Sequence, residues 1–152
     1  MQLSIPAFAA SQPIPVQFTC EGEDRSPAVE WSGPPAGTRS FALIVDDPDA
    51  PAGVFAHWGA YDIEAGARRL DEGAGNAAGA PFRQARNDFG VQRYRGPCPP
   101  RGHGVHHYRF KLFALDVAQL GIGHAPGIAE LERALDGHIM ASARFIATYE
   151  RN

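Results

Sequence analysis

Alternation of hydrophobic and polar positions with a period of two dominates this chain, the signature of half-buried strands. Over Ser40–Asp47, Phe41, Leu43 and Val45 fall on one face and Ala42 and Ile44 on the other, which predicts a strand buried on both sides. Phe55–Ile63 reads as a second strand. His106–Leu115 is the clearest: His106, Tyr108, Phe110 and Leu112 share one face, while His107, Arg109 and Lys111 take the other. Weaker alternation predicts strands over Gln12–Cys20, Val29–Trp31 and Ala143–Glu150. A helical period occurs over Ile128–Asp136, where Ile128, Leu131 and Leu135 are spaced by three and four and Gly137 supplies a stop. The Gly- and Ala-rich stretch Ala65–Ala80 predicts a long exposed loop.

Seventeen glycines and 13 prolines are spread along the chain rather than pooled in a linker, as expected for many short strands joined by turns. A parallel sheet needs a helix between most strands, and the sequence does not supply them. The expectation is a mainly β (α+β) fold, an antiparallel sheet or sandwich with one or two peripheral helices.

Size and charge narrow the picture. At 152 residues the chain is read as one domain, 1–152, long enough to bury roughly 68–70% of its unfolded surface without staples. It is 44% hydrophobic and 20% charged, an ordinary globular balance, and no apolar run approaches the roughly 18 residues of a membrane span. A net charge of -3 argues against a general nucleic-acid binder. Met1–Ala10 has neither the positive start nor the apolar stretch of a signal peptide, so the expectation is a cytoplasmic protein. Cys20 and Cys98 allow one disulfide, but two reduced thiols are the default in that compartment.

Unusual polar residues gather at three strand ends. Alternation continues the Phe41, Leu43, Val45 face onto Asp47, and Asp47-Pro48-Asp49-Ala50-Pro51 follows as a stiff turn in which Ala50-Pro51 is a candidate cis bond. His57 lies inside an apolar run. The loop Tyr94–Val105, rich in proline and glycine, feeds a strand whose inward face begins with His106 and Tyr108. Imidazole and phenol on one side of a pleat can both donate hydrogen bonds to a polar or anionic guest. Asp88 is read as a turn cap, Trp31, Tyr61 and Tyr94 as core or rim aromatics. Arg68, Arg69, Arg83, Arg86, Arg93, Arg95 and Arg101 form a dense set that could steer anions.

FALIVDDPDAP (Phe41–Pro51), His57-Trp58 and GPCPPRGHGVHHYRFKLFALD (Gly96–Asp116), in that order, resemble the phosphatidylethanolamine-binding protein family, and more narrowly its bacterial Raf-kinase-inhibitor-like branch. Phe18–Ser40 and Gly137–Arg151 fit the same pattern. The resemblance implies an antiparallel β-sandwich with a small pocket that accepts phosphate, acetate or a phosphorylated head group, and no cofactor. It places Asp47, His57, His106 and Tyr108 in the pocket, Pro99 and Pro100 at its rim, and Gly96 and Pro97 where backbone borders the anion. It also implies a modulator or inhibitor of a kinase or hydrolase, with a protein partner at the rim and a homodimer as further expectations.

Two other chemistries start from the same residues. Cys98 with His57 or His106 imitates a Cys–His hydrolase pair, although no helix N-terminus stands behind the cysteine. His103, His106 and His107 with Asp47 supply metal-ligand types, yet adjacent His106 and His107 point to opposite faces of a strand and cannot easily share an ion.

Overall fold

The computed structural model describes residues Met1–Asn152. Two antiparallel sheets face each other. The larger sheet is built around β3 (Ser40–Asp47), flanked by β4 (Phe55–Glu64) and β7 (His106–Leu115). β8 (Ile139–Tyr149) pairs along the far side of β7, and the short β6 (Arg83–Gln84) closes the other edge. The smaller sheet joins β1 (Gln2–Ser4), β2 (Val29–Ser32) and β5 (Arg69–Leu70) in the order β1-β2-β5.

The core lies between the sheets. Phe41, Leu43 and Val45 of β3 and Tyr108, Phe110 and Leu112 of β7 pack against Ile5, Ile14, Phe18, Val29, Trp31 and Leu70. The outer face of the large sheet carries Ala42 and Ile44, covered by one helix, α1 (Ile128–Leu135). Ile128, Leu131 and Leu135 are the buried stripe of α1, each burial contributing about 1.5–3 kcal/mol. The helix approaches where β4 has no side chain: a Cβ at Gly59 would lie 2.6 Å from Ile128 Cδ1. Trp31, Tyr61 and Tyr94 are core residues.

Four local expectations need correction. Gln12–Cys20 is not a strand but a bridge from Pro13 to Thr148 followed by a 3-10 turn at Val16–Phe18. Pro13 and Pro15 lack the N–H groups a regular ladder would use. Ala65–Ala80 is not a free loop: Leu70 is buried in β5, Gly75 rests on Trp58, and Asn76 Oδ1 accepts the Ser26 N–H. Every peptide bond is trans, Ala50-Pro51 included; Gly53, at φ 113°, completes that turn by donating its N–H to Ala50 O. Finally, Cys20 and Cys98 form a disulfide, not two thiols. Their loops are brought side by side by the Cys20 N–H donating to Pro97 O.

Candidate functional site

At one end of the sandwich β3, β4 and β7 deliver side chains into a single cavity of about 230 Å³. Alternation along β3 brings Asp47 to the inner face at the strand's last position. The same rule on β7 turns His106 and Tyr108 inward and sends His107 outward, where its Nδ1 meets Asp49 Oδ2. Asp46, one residue before Asp47, faces outward too. It is buried and paired with Arg109 and with Lys111, each at 2.7 Å.

His57 arrives differently. Val45 pairs with Trp58 and Asp46 with Ala56, so His57 is an extra residue on β4, opposite nothing on β3. Such a bulge re-aims one side chain without disturbing the ladder beyond it. Trp58 therefore enters the core while His57 also lines the cavity.

The four polar groups are held by distinct bonds. Asp47 Oδ2 accepts from His106 Nδ1 at 2.6 Å, and its Oδ1 accepts the Asp49 N–H at 2.8 Å. An ionised carboxylate only accepts, so the His106 proton sits on Nδ1. His106 Nε2 then faces His103 Nδ1 at 2.6 Å, making a chain Asp47–His106–His103 that ends on an exposed ring. His57 Nδ1 donates to the Arg95 carbonyl at 2.8 Å, leaving Nε2 without a protein partner. Burial pushes this imidazole below its ordinary value and outweighs the Arg95 carbonyl and the Asp47 charge, which act the other way. Tyr108 packs edge-on to His57, and its hydroxyl is buried with no partner in hydrogen-bond geometry. Burial first, then the Asp47 carboxylate, holds this phenol well above the ordinary tyrosine range.

The walls are apolar. Ala50, Pro51, Phe55 and Phe89 form one side, and Cys98, Pro99 and Pro100 the other. Asn87 fixes the Phe89 turn by accepting the Phe89 and Val91 N–H groups through Oδ1. The loop bearing Pro99 is tied to Cys20 by the disulfide and to Arg151, whose Nε donates to Pro99 O.

Of the residues expected at the site, Asp47, His57, Pro99, Pro100, His106 and Tyr108 line the cavity; Gly96 and Pro97 do not. They stand behind the wall. The Gly96 N–H donates to Asp24 Oδ1, and a Cβ there would lie 2.0 Å from Phe18 O. Asp88 is no turn cap: its Oδ2 takes the Ala56 N–H and pins the loop to β4. Phe55 and Phe89 were missed, although alternation back from the bulge would have put Phe55 beside Asp47; His103, considered in the sequence only as a metal-ligand type, meets His106. Much of the arginine set is engaged in ion pairs, Arg69 with Glu30, Arg95 with Asp24 and Arg83 with Asp62.

Compared with known proteins, the chain matches the model of the phosphatidylethanolamine-binding protein family over residues 4–150. It belongs to that family. A UPF0098 protein of Aquifex aeolicus is 44% identical over 153 residues, spanning 100% of this chain and 90% of the relative. A UPF0098 protein of Pyrococcus horikoshii, PH1269, is 43% identical over 148 residues, 95% of this chain and 74% of the relative. Among solved structures, E. coli YbcL, described as a new member of the mammalian PEBP family, superposes with a TM-score of 0.92 at 32% identity. That match covers 99% of this chain and 98% of YbcL. The mostly β, two-sheet architecture with its single α-helix is thus the fold of a phosphatidylethanolamine-binding protein.

Proposed function

We propose that this protein binds a small oxyanion of the phosphate class in the Asp47–His57–His106–Tyr108 cavity, without transforming it. The observation that carries this reading is the Tyr108 hydroxyl, buried at the cavity with no protein partner. An unmet buried hydroxyl costs about 1–3 kcal/mol, which a guest oxygen would recover. At about 230 Å³ the cavity is smaller than a drug-sized site, so it suits one phosphate-like group on a short stem. Proline walls tied by the disulfide and by Arg151 lose little freedom when a guest enters.

A Cys–His hydrolase has less behind it, because Cys98 is held in a disulfide and offers no thiolate. A metal centre on His106 and His107 is opposed by their opposite directions, His107 being paired outside with Asp49. A protein partner at the rim, as a kinase or hydrolase modulator would need, is supported by Phe89, which lines the cavity and is 39% exposed. No helix is long and apolar enough to cross a membrane. The bridge favours work in an oxidising compartment over the cytoplasm.

Calorimetric titration with inorganic phosphate tests the main reading. Saturable one-to-one binding that weakens in Tyr108→Phe supports it. No binding at millimolar phosphate, or binding indifferent to Tyr108, refutes it.

A further inference from the structure

β8 is the outer strand of the large sheet, and part of its free edge is already covered. Ile146 O accepts the Ser11 N–H, while Thr148 accepts from the Ile14 N–H and donates its own to Gln12 O. These bonds put the backbone groups of Ile146 and Thr148 on the side away from β7. The register with β7 is unbroken from Thr148 back to Ser142, so Arg144 and Ser142 turn their N–H and C=O groups the same way. No protein group meets them there, because the N-terminal segment bonds only as far as Ile146. Both residues are exposed, with Met140 and Ile139 exposed beside them. An uncovered edge of this kind is a template for another strand.

The charge along this edge has one sign. Arg144 is the sole charged residue of β8. It stands opposite Lys111 on the outer face of the sheet, with Arg109 at the next outward position of β7. Lys111 and Arg109 share one carboxylate, Asp46, whereas Arg144 has none within ion-pair reach. Like charges directly opposite on a sheet are unfavourable, so an acid set over Arg144 and Lys111 relieves the pair. Phe113 and Ser142 join them in a shallow groove.

We propose that β8 receives an added strand from an acidic protein partner, an extended segment lying along Met140–Arg144 with alternate carboxylates over Arg144 and Lys111. Main-chain bonds to Ser142 and Arg144 would hold the segment, and the basic pair would select its side chains. A second copy of this chain fits less well: pairing β8 with β8 sets two basic edges side by side and supplies no acid from either strand. The surface is separate from the anion cavity, which lies at the Tyr149 end of β8, where His106 pairs. The proposal therefore does not rest on the anion-binding reading.

The probe is a blocked peptide of about seven residues alternating threonine and glutamate, titrated at low ionic strength into the intact, isotope-labelled protein. Saturable NMR shifts should centre on the Ser142 and Arg144 amides, and hydrogen exchange there should slow about tenfold at saturation. Glutamine in place of glutamate should weaken binding at least about threefold. Arg144→Glu, a change at an exposed position beside Lys111, should abolish the shifts while leaving the melting point unchanged or higher. Strand addition uses one alternate set of peptide amides. N-methylation of that set should therefore abolish binding, and N-methylation of the other set should leave it within about threefold. No shift at those amides with about 5 mM peptide overturns the proposal, as does equal binding of the glutamine peptide. Equal effects of the two methylated sets overturn strand addition. Protection of Ser142 and Arg144 that grows with protein concentration in the absence of peptide identifies a second copy as the occupant and overturns the acidic partner.

Discussion

Replacing Cys20 and Cys98 together by serine removes a cross-link between residues 78 apart. The chain-entropy relation for a closed loop of that length gives a loss of about 15 cal/mol/K in the unfolded ensemble, or about 4.5 kcal/mol at room temperature. For a domain of 152 residues each kcal/mol moves the melting point by about 2–4 °C, so the double variant should melt roughly 9–18 °C lower. Urea unfolding of wild type and variant measures the free energy directly, and thiol counting in denaturant checks the bridge beforehand. The Arg151 bond to Pro99 O and the Gly102 N–H bond to Arg151 O survive in the variant. The cavity wall therefore remains, and phosphate affinity should fall less than about fivefold. Two titratable thiols in the untreated wild type, or unfolding free energies within about 1 kcal/mol of each other, would refute the reasoning.

Three further expectations use other parts of the molecule. Tyr108→Phe deletes a hydroxyl with no partner, so the free protein should be unchanged or up to about 1 kcal/mol more stable, while phosphate binding weakens about tenfold; denaturation and titration run side by side show whether the two effects part company. Gly96→Ala forces a methyl within 2.0 Å of Phe18 O and should cost about 1–3 kcal/mol, read as a lower melting point. His57 titrates lower folded than unfolded, so the unfolded chain binds the extra proton. Its contribution to stability is complete above about pH 6.5 and is lost as pH falls through the folded value, at no more than about 1.4 kcal/mol per pH unit. Melting points of wild type and His57→Gln between pH 7.5 and pH 5 should converge toward the acid end, and parallel curves would remove His57 from the account.

Legibility followed the range of the forces involved. Ser40–Asp47 and His106–Leu115 were readable to the residue because each strand is buried on its inner face along its whole length, and burial writes a period of two into the side chains. Asp47, His106 and Tyr108 inherited their direction from that period. His57 did not, because its aim depends on a bulge set by pairing with β3. Gly96 was misplaced for a similar reason: a glycine in a proline-rich loop reads as open backbone, whereas the Phe18 carbonyl and Asp24, more than 70 residues earlier, press against it. Phe89 and His103 reach the site on loops, which carry no periodic signal.

From its own residues the polypeptide specified the long strands β3, β4 and β7, the helix, the outward turn of Asp46 and His107, and the set of acidic, imidazole and phenol groups at the strand ends. Those features depend on neighbours two to four positions apart. Only the assembled sheets decided that Cys20 meets Cys98, that His103 caps His106, and that the Tyr108 hydroxyl is buried with no partner in hydrogen-bond geometry. Each of these is a balance of partners across 3 to 78 residues of chain, and it exists only once packing has chosen which hydrogen bonds are already made.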